Sequence, residues 1–206
     1  MSDYNREQIE TISMVRRFFR GITEGRRAEL ERMIRPYLDF REEVARFQDT
    51  FFSDLCTGWC FNSRTSACCN REGIATFFGD MVVNIFLSGD DGVEGLLNAL
   101  HQDPGGFKCV YLSASGCLWR IKPIVCEMFL CDHAKETVLE RDDQLREQWE
   151  TFRQQEKAFT WPDRPVLFDA LEDIFIREGY DSPLMYFHRS PGLLRVKAQS
   201  LQKADP

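Results

Sequence analysis

Residues 56–69 read CTGWCFNSRTSACC, and residues 109–131 read CVYLSASGCLWRIKPIVCEMFLC. These two stretches hold all eight cysteines of the chain: Cys56, Cys60, Cys68 and Cys69 in the first, and Cys109, Cys117, Cys126 and Cys131 in the second. Gly, Asn, Ser, Thr and Arg fill 56–72, a composition that breaks regular structure and predicts an irregular loop. Thiolates on loops can converge on one soft cation, whereas successive side chains of a regular element point apart.

Everything around this region reads as helix. Ile9, Ile12, Val15, Phe18, Phe19 and Ile22 recur at helical spacing, and Gly21 and Gly25 bracket a turn. Leu30, Met33, Tyr37, Phe40, Val44, Phe47 and Phe51 then step by threes and fours along one face of a long helix. Pro36 should kink or interrupt it, because proline lacks the backbone donor and clashes with the turn before it. Residues 1–55 therefore form a helical hairpin that delivers the chain to Cys56. Its seam serves core packing, or else a homodimer or protein-partner surface.

A short extended piece around Ile74 and Thr76 leads to a helix through Met81, Val82, Ile85 and Phe86, which SGDDG (88–92) breaks. Val93, Leu96, Leu97 and Leu100 make a small helix ending before Pro104. Ser113–Gly116 is a turn, and Pro123 opens a short helix holding Cys126. After the cysteine region (56–133), residues 134–206 carry a helix lined by Val138, Leu145, Trp149, Phe152 and Phe159. A further helix over about 164–178 follows, capped by Gly179, and then short helical turns. The expected fold is mainly α, a helical scaffold around an irregular cysteine-rich metal-binding region with little or no β, in one compact domain.

The chain has 206 residues and a net charge of −7, with acids and bases intermixed. Such a balance argues against nucleic acid, which calls for a basic stripe, and against a polybasic membrane anchor. No apolar run approaches a membrane span, MVVNIFL (81–87) being too short, and MSDYNREQIE is no signal peptide. A cytoplasmic protein is expected. Its cysteine density falls short of the roughly 8–10% of secreted disulfide scaffolds, so metal ligation in a reducing compartment is the preferred reading.

Zinc and iron–sulfur clusters both favour four thiolates. Cys56 and Cys60 lie close to the short spacing that places two sulfurs on one ion. The adjacent Cys68 and Cys69 diverge, so either the backbone bends sharply there or the two serve different tasks. Eight cysteines could fill two four-ligand sites, or one site with spare thiols. His133 could join a mixed site or serve as a surface or capping residue, while His101 and His188 read as structural. Asp80, Asp90 and Asp91 read as helix-end and turn residues. No Ser-His-Asp signature, P-loop, GxGxxG or HExxH occurs, nor the cysteine spacing of radical S-adenosylmethionine enzymes, so catalysis has no independent support.

Across residues 56–131 the order of features resembles the bacterial YkgJ-like cysteine-cluster family, a zinc- or iron-chelating CxxCxxCC domain. Cys56, Cys60 and Cys68-Cys69 are followed by Ile74 and Asp80. Cys109, Leu112, Gly116-Cys117, Trp119, Lys122-Pro123, Cys126 and Phe129 follow the pattern of its second half. The family's compact spacing is stretched here to three and seven residues, Lys122-Pro123 replaces its Arg-Pro, and Cys126-Glu127 its Cys-Arg. The resemblance implies chelation of zinc or an iron–sulfur cluster. A similar cysteine set occurs in flagellin lysine N-methylases, which implies, as alternatives, a protein-modifying enzyme or maturation factor with a cluster. This chain is short for that enzyme and shows no residues to carry methyl transfer. A helical interaction protein with a structural zinc is the third reading.

Overall fold

The computed structural model describes residues 1–71, 75–103, 105–161 and 166–204. Ile74, Pro104 and the expected start of the last long helix at 164 lie outside them. The architecture is mainly α, with a single two-stranded hairpin among the described residues.

Helix α1 (Asp3–Gly21) begins at Ser2, whose Oγ accepts the Asn5 N–H at 3.1 Å, and it buries Ile12, Val15 and Phe18. Thr23 caps α2 (Glu24–Ser53) in the same way, accepting the Arg26 N–H at 3.3 Å. Thr23→Ala is expected to lower stability by about 1 kcal/mol, the usual worth of such a cap, read as a shifted denaturant midpoint.

Helix α2 runs unbroken through Pro36. Pro36 and Arg32, whose carbonyl loses its helical partner, both lie on the exposed side, where water can take the freed bond. The opposite face sends Leu30, Ile34, Tyr37, Phe40, Val44 and Phe47 into the chain's own core. Consecutive though they are, α1 and α2 are not each other's main neighbours. Helix α1 lies on α3 (Phe78–Leu87) and α4 (Asp90–His101), and α2 reaches α7 (Asp143–Thr160).

Helix α3 is apolar nearly all round, with every residue from Phe78 to Phe86 buried, as a helix through the middle of a core must be. Its other main neighbour is α8 (Leu167–Arg177). That approach depends on Gly79, because a Cβ there would stand 2.4 Å from Cγ and Cδ1 of Phe168, itself fully buried. Gly79→Ala is expected to cost about 1–3 kcal/mol or more through overpacking, visible as an earlier denaturant midpoint. An unmoved midpoint would mean that α3 and α8 have slack the contact does not show. Helix α8 stops at Gly179, whose φ of +82° suits glycine, with the Tyr180 N–H returning to the Phe175 carbonyl at 2.9 Å.

One cluster of buried side chains, from Ile12 to Phe187, draws on all three stretches of the chain. No helix among the described residues is long and apolar enough to cross a membrane.

Candidate metal centre

The expected irregular loop begins later than its composition suggests. Helix α2 passes into a π-helical stretch, Asp54–Phe61, so Cys56 and Cys60 ride on a widened helical turn. Irregular backbone starts at Asn62. There Arg64 (φ +61°) and Ser66 (φ +38°) take left-handed conformations and turn the chain back. The Ser66 N–H donates to the Cys60 carbonyl at 3.0 Å, and the Ala67 N–H reaches the Cys60 sulfur at 3.4 Å. The bend precedes the adjacent pair Cys68 and Cys69, and the Cys69 N–H returns to the Ser66 carbonyl at 3.0 Å.

Past the bend, Cys69 pairs with the second clump. Its carbonyl accepts the Cys109 N–H at 3.1 Å, the Arg71 N–H donates to the Phe107 carbonyl at 2.8 Å, and Asn70 and Lys108 form an antiparallel bridge. Lys108 ties the same loop through its Nζ, which donates to the carbonyls of Thr65 and Ser66. A hairpin of β1 (Leu112–Ser113) and β2 (Gly116–Cys117) then returns Cys117 beside Leu112. Gly116, with φ of +112°, makes its turn. Backbone N–H groups of Tyr111 and Leu112 reach the Cys109 sulfur, and that of Trp119 reaches Cys117.

Cys126 lies in α5 (Ile124–Glu127), and buried polar groups hold the start of that turn. Asp80 accepts the Phe77 N–H at 3.0 Å and the Ile124 N–H at 2.9 Å, so one carboxylate joins the first turn of α3 to α5. Asn84 accepts the Ile121 N–H at 3.1 Å, and Arg41 donates to the Lys122 carbonyl at 2.8 Å. Cys131 opens α6 (Asp132–Ala134). This turn is set against the π-helical stretch by Trp59, whose ring meets that of His133 edge-on at 5.9 Å.

All eight cysteines are free thiols. Among the described residues, no three His, Cys, Asp or Glu side chains already converge as ligands of one ion. The thiols are neighbours rather than a closed cage. Cys56 feels Cys68, Cys131 and Cys60. Cys69 feels Cys68 through a hydrogen bond, and then Cys109, Cys117 and Cys126. Burial is the main cause raising the pKa of Cys56, Cys109, Cys117 and Cys126, the last to about 12. The hydrogen bond between the adjacent thiols raises Cys68 and lowers Cys69. Thiols held protonated in this way must give up protons to ligate, so metal uptake here is proton-coupled.

The surroundings suit negative ligands. Residues 56–71 and 105–123 contain Arg64, Arg71, Lys108, Arg120 and Lys122 and no acid, in a chain whose net charge is −7. His133 stands exposed, with Nδ1 3.5 Å from Thr137 Oγ1. His188 is held by Glu172 at 2.9 Å in the C-terminal core, and His101 is exposed at the end of α4. Asp90 and Asp91 occupy the first turn of α4, where Asp90 receives Arg16 at 2.8 Å.

Burial raises the pKa of Asp80 to about 7, against its two N–H donors and Arg41. An acid raised in the folded state adds most stability below its unfolded pKa of about 3.9, and that share is lost as pH climbs through the folded value. The stability gap between wild type and Asp80→Asn should therefore shrink from pH 4 to 7. A gap constant with pH would refute the assignment.

No family model, curated protein or solved structure matches this chain.

Proposed function

We propose that this is a cytoplasmic metal-binding protein whose clustered cysteines, Cys56, Cys60, Cys68, Cys69, Cys109, Cys117, Cys126 and Cys131, chelate zinc or an iron–sulfur cluster. The observation that carries the reading is the pairing of the two clumps. The 3.1 Å hydrogen bond from Cys109 N–H to the Cys69 carbonyl joins cysteines far apart in sequence, and all eight thiols stay unpaired.

An all-sulfur donor set fits either zinc or an iron–sulfur cluster. Backbone N–H groups aimed at Cys60, Cys109 and Cys117 suit thiolates, since hydrogen bonds to a charged acceptor are the stronger kind. The five basic residues of 56–71 and 105–123, set against Glu127 beside Cys126, would offset the anionic charge that four thiolates leave on a divalent ion. The likeness to the YkgJ-like family rests on the order of cysteines and their neighbours, and it points to the same chemistry. A reducing compartment keeps such thiols available, hence the cytoplasmic assignment.

The test is elemental analysis with an absorption spectrum on protein purified without oxygen. Iron with labile sulfide and a broad band near about 400 nm identifies a cluster, and colourless protein with stoichiometric zinc identifies zinc. Protein free of both metals, unable to take up zinc when reduced, would overturn the proposal.

A further inference from the structure

Resting on the metal-binding reading, we propose that the eight thiols form two distinct four-thiolate sites: Cys69, Cys109, Cys117 and Cys126 hold a centre that fastens the fold, and Cys56, Cys60, Cys68 and Cys131 hold a second, exchangeable centre at the surface. Each site takes three ligands from one clump and one from the other, so the clumps interlock.

Backbone geometry makes the division. Cys68 and Cys69 form the seam between the two sets, their thiols acting directly on each other. The bend at Arg64 and Ser66, closed by hydrogen bonds to the Cys60 carbonyl and sulfur, returns the chain toward Cys60 just before Cys68. One residue later the Cys69 carbonyl is bonded to Cys109. The hairpin brings Cys117 back beside Leu112, three residues after Cys109, and Asp80 fixes the turn that carries Cys126. On the other side, the Trp59–His133 contact seats the Cys131 turn beside the π-helical stretch. The thiols that act on Cys56 are those of its own set, and those that act on Cys69, after its chain neighbour Cys68, are Cys109, Cys117 and Cys126.

The two sets differ in what stands behind them. Tyr111, Trp119 and Ile124 are at most 5% exposed and lie two residues from Cys109, Cys117 and Cys126 respectively, anchoring that set to the core. The π-helical stretch under Cys56 and Cys60 has no fully buried side chain, its Leu55 being only partly covered, and two of the four outer thiols, Cys56 and Cys68, are exposed against Cys117 alone in the inner set. Local opening is easiest where few apolar contacts must break, so the outer centre exchanges first.

The experiment uses the full chain, reduced and then loaded with zinc alone. Zinc per chain is counted by elemental analysis, and its transfer to a colorimetric chelator is followed in time. The wild type is expected to hold two zinc ions and to lose them in two phases of equal amplitude. Cys131→Ser should lose one ion and the fast phase, with the slow phase and the melting curve retained. Cys117→Ser should lose the slow phase. If that variant fails to fold, the wild-type amplitudes and Cys131→Ser still decide. One zinc per chain, a single release phase, or Cys131→Ser retaining two ions would overturn the two-site division while leaving metal binding intact. A protein that takes up no zinc would instead refute the reading beneath it.

Discussion

Stripping metal from the protein is expected to expose amides of 54–71 and 105–131 to fast hydrogen exchange, while those of α1, α3 and α8 stay protected. Apart from Tyr111, Trp119 and Ile124 in the core and the bonds from Asp80, Asn84 and Arg41, the ligand region has little else to hold it. Its regular pairing among the described residues is one short hairpin and one bridge, and its π-helical lead-in has no buried side chain. The helices need no such help. Phe18 and Phe175 lie with ring centroids 4.0 Å apart, Phe78 meets Phe175 at 5.0 Å, and Tyr37 meets Phe168 at 5.4 Å. Structural zinc contributes about 10–16 kcal/mol in small peptides, where binding and folding are one event. That figure is a ceiling here, since only part of the chain depends on the metal. Exchange would be followed by mass spectrometry before and after treatment with a strong chelator at low thiol concentration. Identical protection in metal-loaded and stripped protein would show that the loops stand unaided, and would remove the coupling on which the metal reading relies.

The helical scaffold was legible because its signal is local. The seams from Ile9 to Ile22 and from Leu30 to Phe51 lie along α1 and α2, except that Phe51 is exposed and Phe52 is buried instead, and Gly179 became a cap as its position suggested. Pro36 does not interrupt α2, because its side of the helix faces solvent and water can take the freed carbonyl's bond. The loop was misjudged at its start. Gly and Thr among the cysteines weaken an α-helix, yet the helix widened into π turns rather than ending. The register between Cys69 and Cys109 could not be read at all, since a single bridge at Asn70 and Lys108 sets it and carries no side-chain pattern. Gly79 is equally silent in sequence, its meaning supplied by Phe168 far along the chain. Arg41 did leave a trace, a charged residue between Phe40 and Val44 and four after Tyr37, where the seam calls for an apolar one.

Arg41→Ala should therefore damage the scaffold and the ligand region together. The Arg41 side chain is 5% exposed, with Nη1 donating to the Tyr37 hydroxyl at 2.7 Å and Nη2 to the Lys122 carbonyl at 2.8 Å. Nη2 also lies 3.5 Å from the Glu127 carboxylate, which is 7% exposed and has Lys122 as its other partner at 3.4 Å. Removing the guanidinium leaves a buried carboxylate short of charge and a buried carbonyl without its donor. Breaking a buried pair from one side typically costs about 3–5 kcal/mol. Arg41 Nε has no partner, so the native arrangement is itself imperfect and the loss should fall toward the lower end. Lysine keeps the charge but cannot reach three acceptors from one point, so Arg41→Lys should fall between wild type and alanine. Introducing Arg41→Ala into a Glu127→Gln background should cost less than in the wild type, because the stranded charge is gone. Glu127 follows Cys126 directly, and the Lys122 carbonyl precedes the Pro123 turn that positions that thiol. Zinc affinity should then weaken along with the denaturant midpoint in Arg41→Ala. A midpoint within about 1 kcal/mol of wild type would show that water reaches Glu127 and that the pair is not truly buried.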